Sequence, residues 1–471
     1  MAANRPLSKS ELQQKLRRKA VRFFKAHDVE SKLESLLNEM FAAQPSDVYG
    51  YMSEYFHSLS LEPVISGIKI REILDTSGDK AVEVDLYCTI DGVSKKVSSW
   101  VSSFGGEADV ERIISTTEES LSHTLKKIPV KNQKDIDQLL EENVTSDKSL
   151  AQAVSYAAAT GAAMLSKIPL YRHITIKEEA EALTPLPLLS MLAFGRHSSA
   201  KLRFSEFLLS PASTIDVIEQ VQKLIVVYKN LWKTFTEKHG PSGVPITSFG
   251  AYCPVIDKVD PVLELLQESC REAGLQQDHV NIWINVTADH MFDQDKGKYE
   301  LCTGVWKATD DLVNIYCDLQ QAHPNIKGFI NPFHSHDSTA WQKLATRLQD
   351  QECLLISGAD LTDKLMYPEQ LEPGSEQPQE LPSVNCASLN VLNTITVSNL
   401  HHKTEKLKAV SASHTIMTDL SLIHTHSQAK DLAEMAIGLG YNYIKLGAPR
   451  GLHTTTLSTL FNRTSWSCTF Q

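Results

Sequence analysis

The side chains best equipped for chemistry are histidines, carboxylates and one lysine in the second half of the chain. His334 and His336 form one H-x-H pair and His424 and His426 another, with His401, His402 and His414 between them. An H-x-H pair can grip a metal ion through two imidazoles. No third ligand follows at convincing spacing, so loop or surface positions are the preferred reading of this set. Lys445 closes the strand-like run YNYIKLGAP, Glu206 sits in SEF three residues after Arg203, and His197 ends GRH. Taken singly, these are a solvated strand-end charge, one half of a surface ion pair and a loop histidine. No G-x-G-x-x-G or G-x-x-x-x-G-K-[ST] follows any strand-like run, which argues against a nucleotide-binding sheet.

The elements that must position these groups come from an ordinary globular composition. The chain has 471 residues, 42% apolar and 22% charged, enough for about three domains at roughly 150 residues each. No apolar run nears the roughly 20 residues of a membrane helix, and the N-terminus lacks the apolar core of a secretory signal. Eight cysteines are scattered without a C-x-x-C pair, the pattern of reduced residues in the cytoplasm. A formal charge of −11 argues against nucleic acid as a partner. The reading at this point is a cytoplasmic protein with no membrane segment.

Two short amphipathic helices follow a basic N-terminal cluster. In 29–41, Val29, Leu33, Leu36, Leu37, Met40 and Phe41 fall on one helical stripe. Pro45 and Asp47 then start a second helix, Pro45 suiting its first position and Asp47 its positive end, whose stripe includes Val48, Met52, Tyr55, Phe56 and Leu59. Neither helix can bury its stripe alone, so a second copy or the rest of the chain is expected against them. The residues from 64 to 92 alternate and turn at 77–79 and 91–92, as a β-meander does. Helical pattern with an alanine-rich stretch covers 109–167. Beyond about 186, short apolar strands alternate with helices, predicting an α/β architecture of parallel pairing in a barrel or doubly wound sheet. Residues 367–382, rich in Pro, Glu and Gln, read as a surface insertion.

Four segments in order resemble the enolase family. Asp75 to Asp85 is similar to D-S-R-G-N-P-T-V-E-V, Ile168 to His173 to V-P-L-Y-K-H, Leu186 to Pro211 to the stretch with N-G-G-x-H and Q-E-F, and Ile444 to Pro449 to I-K-T-G-A-P. Residues 15–60 also resemble the dimerisation/docking module of cyclic-AMP-dependent kinase regulatory subunits. Together they resemble a divergent, sperm-associated branch of the enolases. The resemblance implies a helical docking module at 10–60, an α+β capping domain at 64–183 and an enolase-type (β/α)8-like barrel at 184–463. It implies a homodimer, an amphipathic anchoring helix from a ciliary or flagellar protein as partner, and glycolytic enzymes as possible company in the sperm flagellum or cilium. The chain after Pro449 is shorter than the family's last helix and tail, which predicts a barrel with incomplete closure.

Enolase chemistry removes a weakly acidic proton beside a carboxylate and expels hydroxide, which needs a base, an acid and Mg²⁺. The resemblance keeps His197, Glu206 and Lys445 as substrate-binding positions. It puts Asn390 at the base lysine, Phe249 at the acid, and Asn285, Ile330 and Ala359 at the three metal carboxylates, with Asp360 one residue on. Mg²⁺ is the family cofactor, and these replacements predict that its binding here is weak or absent. Two functions are therefore expected as rivals. One is an enolase-fold scaffold without normal turnover, and the other an active phosphopyruvate hydratase that makes phosphoenolpyruvate in sperm glycolysis.

Overall fold

The computed structural model describes residues 9–76, 78–103, 110–143, 148–175, 184–195, 199–212, 217–240, 244–358, 362, 384–410, 415–420 and 425–467. The chain divides into two compact units, one holding residues 1–63 with the turn at 90–93 and the other holding the remainder. In the first, helices α1 (Lys9–Ala26), α2 (Val29–Ala43) and α3 (Val48–Leu59) follow one another. The Asp47 carboxylate accepts the Gly50 N–H at 2.9 Å and so caps α3. Pro45 therefore lies before the cap rather than at the first helical position. Leu36 is buried, but Leu33, Leu37, Phe41, Val48, Phe56 and Leu59 remain exposed.

The larger unit begins with an antiparallel meander of β1 (Val64–Leu74), β2 (Lys80–Ile90) and β3 (Val93–Ser103). Asp91 and Gly92 both take positive φ, the geometry of a tight hairpin turn. Helices α4 (Val110–Leu125), α5 (Gln133–Asn143), α6 (Lys148–Leu165) and the single turn α7 (Leu170–His173) follow. The small side chains of α6 let it sit close to β2 and β3. A Cβ on Gly161 would press on Ser98, Leu86 and Val97.

Eight strands then close into a barrel: β4 (Leu186–Ala193), β5 (Glu206–Pro211), β6 (Val280–Asn285), β10 (Ile326–Ile330), β11 (Leu354–Ser357), β12 (Cys386–Leu389), β13 (Thr415–Asp419) and β14 (Tyr443–Leu446). Between β5 and β6 run α8 (Val217–His239) and α9 (Val259–Glu272). A small antiparallel sheet of β7 (Phe292–Asp293), β8 (Lys298–Cys302) and β9 (Val305–Lys307) follows β6, and α10 (Thr309–Ala322) leads into β10. The remaining helices, α11 (Ser338–Leu348), α12 (Val397–Val410), α13 (His426–Gly438) and α14 (Leu452–Ser467), follow β10, β12, β13 and β14.

Two expectations are corrected here. Pairing is not parallel throughout, because β5 runs antiparallel to both β4 and β6. No helix separates β4 from β5 among the described residues, and strands joined without a crossover return antiparallel. Closure is also complete, since β14 pairs with β4 from Tyr443–Leu186 to Leu446–Leu189, upstream of the residues that looked short.

Inside the barrel, Leu188, Leu208, Trp283, Ile330, Ile356 and Met417 fill the lumen, one from each of six strands. The Trp283 indole N–H donates to the Ser210 hydroxyl at 2.8 Å, so this large buried ring leaves no polar atom unpaired. Gln152 and Tyr156 of α6 reach the loop after β12. The Gln152 amide donates to the carbonyls of Leu392 and Thr394, both at 2.7 Å, and the Tyr156 hydroxyl meets Thr394 Oγ1 at 2.5 Å. This buried polar seam ties the meander-and-helix layer to the mouth of the barrel.

Candidate active site at the mouth of the barrel

Strand direction decides which residues meet. Asn285, Ile330, Asp419 and Lys445 lie at or beside the C-terminal ends of β6, β10, β13 and β14. Glu206 joins them because β5 is reversed, so its first residue lies level with Asn285 on one side and Ala193 on the other. Asn390 directly follows β12 and opens the turn beyond it.

At the centre, the Lys445 ammonium stands 3.0 Å from Glu206 Oε1 and 3.0 Å from Asp419 Oδ2. Lys445 and Glu206 side chains are 5% and 7% exposed, whereas Asp419 keeps 30% and so turns one edge outward. Burial alone would lower the lysine's pKa, but Asp419 and Glu206 outweigh it and hold the ammonium charged well above its ordinary value. Glu206 is held further by the Ser190 hydroxyl at 2.8 Å and the Asn285 amide at 2.8 Å. Asn285 in turn accepts from the Thr287 hydroxyl at 3.0 Å.

A cavity of about 210 Å³ opens above this cluster, lined by Asn285, Ile330, Asn331, Ser388, Asn390 and Asp419 among others. Three positions expected at one site, Asn285, Ile330 and Asn390, thus line a single cavity. Glu206 and Lys445 join it through their bonds to Asn285 and Asp419. Ile330 is hydrocarbon and only 3% exposed, part of the barrel's apolar filling. Asn390 turns its side-chain oxygen to the Leu392 N–H at 2.9 Å. Phe249 packs its ring on Ala193, Ala251 and Cys253, while its carbonyl accepts from the Ala448 N–H at 2.8 Å. The Phe249 ring is therefore in an apolar setting and its backbone is tied to the loop after β14. His197, Ala359 and Asp360, with His414 and His424, lie outside the described residues.

Two bland readings of single residues are replaced. Glu206 does not pair with Arg203, which instead binds Glu300 at 3.0 Å. Lys445 is not a solvated strand end. Among the described residues no three His, Cys, Asp or Glu side chains converge as metal ligands, and His334 instead faces Asp289 at 3.6 Å.

Asp419 has no role in the sequence analysis. Its signal was present in TIMTD, where alternation from the inward Met417 also turns residue 419 inward. His453, in the first turn of α14, had no such signal. Gly447 lets it approach, since a Cβ there would strike the His453 imidazole and the Phe249 carbonyl. The residue is 6% exposed and its imidazole Nδ1 has no hydrogen-bond partner among the described residues.

Comparison with known proteins follows the same line. The profile of the enolase C-terminal TIM barrel domain matches residues 181–455, more than half the chain. The chain belongs to the enolase family. It is 26% identical to enolase 4 of Xenopus laevis over 530 residues, covering 95% of this chain and 90% of that protein. It is likewise 26% identical to human enolase 4, covering 96% and 87%. With the enolase of Pyrococcus furiosus it shares 28% identity over 407 residues, covering 82% of this chain and 90% of that one.

Enolases generally use Mg²⁺, a hard cation that takes carboxylate and water oxygens in octahedral geometry. The donors among the described residues do not match that demand. Asn285 has both amide ends engaged, Ile330 offers no oxygen, and Glu206 and Asp419 already neutralise an ammonium.

Removing the ammonium alone should be costly, because two neighbouring carboxylates would remain in a largely dry site. Lys445→Met is expected to destabilise the protein by about 3–5 kcal/mol in urea unfolding, with Glu206→Gln on the same chain recovering part of it. An unfolding midpoint unchanged by Lys445→Met would contradict this.

His453 supplies a pH test. Burial pushes its imidazole down to about 4, against the pull of Asp419. A folded-state pKa below the unfolded value of about 6.5 contributes stability that is present above pH 6.5 and disappears as pH falls. Between pH 7 and pH 4 the wild type should lose about 3 kcal/mol that a His453→Gln variant does not lose. Parallel stability–pH curves for the two proteins would refute this.

Proposed function

We propose that this enolase-family protein lacks normal phosphopyruvate hydratase turnover and acts as a structural, scaffold-type enolase in the cytoplasm of the sperm flagellum or a cilium. The observation that carries the reading is the engaged state of Lys445, whose charge is used by Glu206 and Asp419. A substrate carboxylate or phosphate would have to displace one of these partners. Deprotonation beside a carboxylate also needs a base, and the matched position is Asn390, whose amide cannot accept a proton near neutral pH. Expulsion of hydroxide needs an acid, and Phe249 has no proton to give. Each missing acid–base group typically costs about 10²–10⁴ in rate, and Mg²⁺ binding at the replaced carboxylates is weak or absent. Purified protein with Mg²⁺ and 2-phosphoglycerate is expected to form no phosphoenolpyruvate above background. Turnover comparable to an ordinary glycolytic enolase would sink this reading.

The N-terminal helices supply the tether in the same proposal. Leu33, Leu37 and Phe41 are 42%, 51% and 78% exposed along α2, and Val48, Phe56 and Leu59 of α3 are also open. Two copies pair these faces as a helical bundle, and its groove takes the apolar face of an anchoring helix from a ciliary or flagellar protein. Glycolytic enzymes gather at that anchor. The full chain is expected to sediment as a dimer at micromolar concentration, and Leu37→Glu with Phe41→Glu to sediment as a folded monomer. A monomeric wild type, or a dimer indifferent to both charges, would exclude pairing through these faces.

A further inference from the structure

Helix α1 has no part in the barrel or in the pairing faces proposed for α2 and α3. Every side chain from Gln13 to Ala26 is exposed. Leu16 keeps 58% of its surface, Phe23 59% and Phe24 50%. The two phenylalanine rings meet edge to face at 5.9 Å, and Phe23 also meets the His27 ring at 4.6 Å. A helix of 18 residues is marginal in water by itself, and helices are stabilised chiefly by packing an apolar face. The bare face of α1 therefore calls for an occupant.

Helical spacing sorts its side chains by chemistry. Leu16, Ala20, Phe23 and Phe24 fall at i, i+4, i+7 and i+8, one apolar stripe. Lys15, Arg18, Arg22 and Lys25 fall at i, i+3, i+7 and i+10, on the opposite side. Arg17 and Lys19 border the stripe on its two edges, where their hydrocarbon stems can lie along it and carry the charge outward. Val21 lies beside Arg17. The helix holds seven Lys and Arg against one Glu, in a chain whose net charge is −11. From Lys15 to Lys25, none of the six cations forms an ion pair among the described residues.

Charge and shape select the occupant. A second copy of α1 would bring like charges together along the whole helix and is repelled. Adjacent Phe23 and Phe24 spread the apolar edge sideways over about 100°, which suits a flat boundary better than a narrow protein groove. An anionic bilayer surface supplies both halves, with hydrocarbon beneath the headgroups for the stripe and anionic groups around it for the cations. Among the described residues no helix is long and apolar enough to cross a membrane, so the contact is one of lying on the surface. We propose that α1 lies flat on an anionic lipid surface, with Leu16, Phe23 and Phe24 at the acyl boundary and its lysines and arginines among the headgroups. This depends neither on whether the barrel turns over substrate nor on whether α2 and α3 pair.

Flotation of the full chain with lipid vesicles tests it, using phosphatidylcholine alone and phosphatidylcholine with about one-quarter phosphatidylserine, at about 0.15 M salt. The chain is expected to float with the anionic vesicles and to stay behind with the neutral ones. Salt at about 1 M, where the Debye length falls to about 3 Å, should weaken the binding. Each cation near the surface contributes about fivefold to partition, so Arg18→Gln with Arg22→Gln and Lys25→Gln should weaken it about a hundredfold. Phe23→Ser with Phe24→Ser should cost about a hundredfold as well. All five side chains are exposed, so both variants should keep the fold, which circular dichroism checks. No flotation with anionic vesicles, equal flotation with neutral ones, or binding undiminished in either variant would overturn the proposal. Ca²⁺-loaded calmodulin, whose groove takes amphipathic helices, is the rival arm. Tight binding to it by a chain that ignores the vesicles would overturn the proposal and assign the face to a protein.

Discussion

One buried ammonium between two carboxylates sets the terms for everything at the mouth of this barrel. Lys445 cannot lose its proton cheaply while Glu206 and Asp419 flank it, nor can either carboxylate stay charged cheaply without it. Such a cluster tolerates only neighbours that complete its hydrogen bonds without adding charge. Ser190, Asn285 and Thr287 do that. The Lys445 ammonium takes up negative charge that Glu206 and Asp419 bring to this face. The amides of Asn285 and Asn390 and the hydrocarbon of Ile330, which line the cavity beside it, add no charge that Lys445 must balance.

The antiparallel strand β5 is the architectural reason the cluster exists. A barrel with all strands parallel would put Glu206, the first residue of its strand, at the opposite end from Lys445. Reversal brings it level with Asn285 and two strands from β14. The seam from Gln152 and Tyr156 then braces the turn that carries Asn390, so one wall of the cavity depends on a helix more than two hundred residues upstream. The site is therefore a property of the whole larger unit, although each contributing residue sits on a short local element.

Much of the fold was legible in the residues. Alternation located the meander, and the alternation of short apolar strands with helices beyond about residue 186 located the barrel region. The runs LPLLSMLA and CASL, which form β4 and β12, were not singled out as strands. The first is apolar throughout and shows no period, and the second is four residues long, too short for a period to register. Strand direction was misread because alternating strands and helices suggest parallel pairing, and the exception at β5 depends on connection geometry rather than on side-chain pattern. Closure was doubted from the short stretch after Pro449, yet the bonds that close the barrel are made by β14 itself.

At the site, the sequence alone determined which chemical groups are present and which are missing. Asn285, Phe249, Ile330 and Asn390 are what they are in any conformation, and no folding makes an acid of phenylalanine. Only the tertiary structure decided what the surviving charges do. A lysine at a strand end reads as solvated or as a substrate anchor until its distance to Glu206, 239 residues earlier in the chain, is known. The same holds for Asp419 and for His453 against Gly447. The interactions that assign their roles are non-local, and electrostatic strength depends on burial and separation, which residue order does not encode.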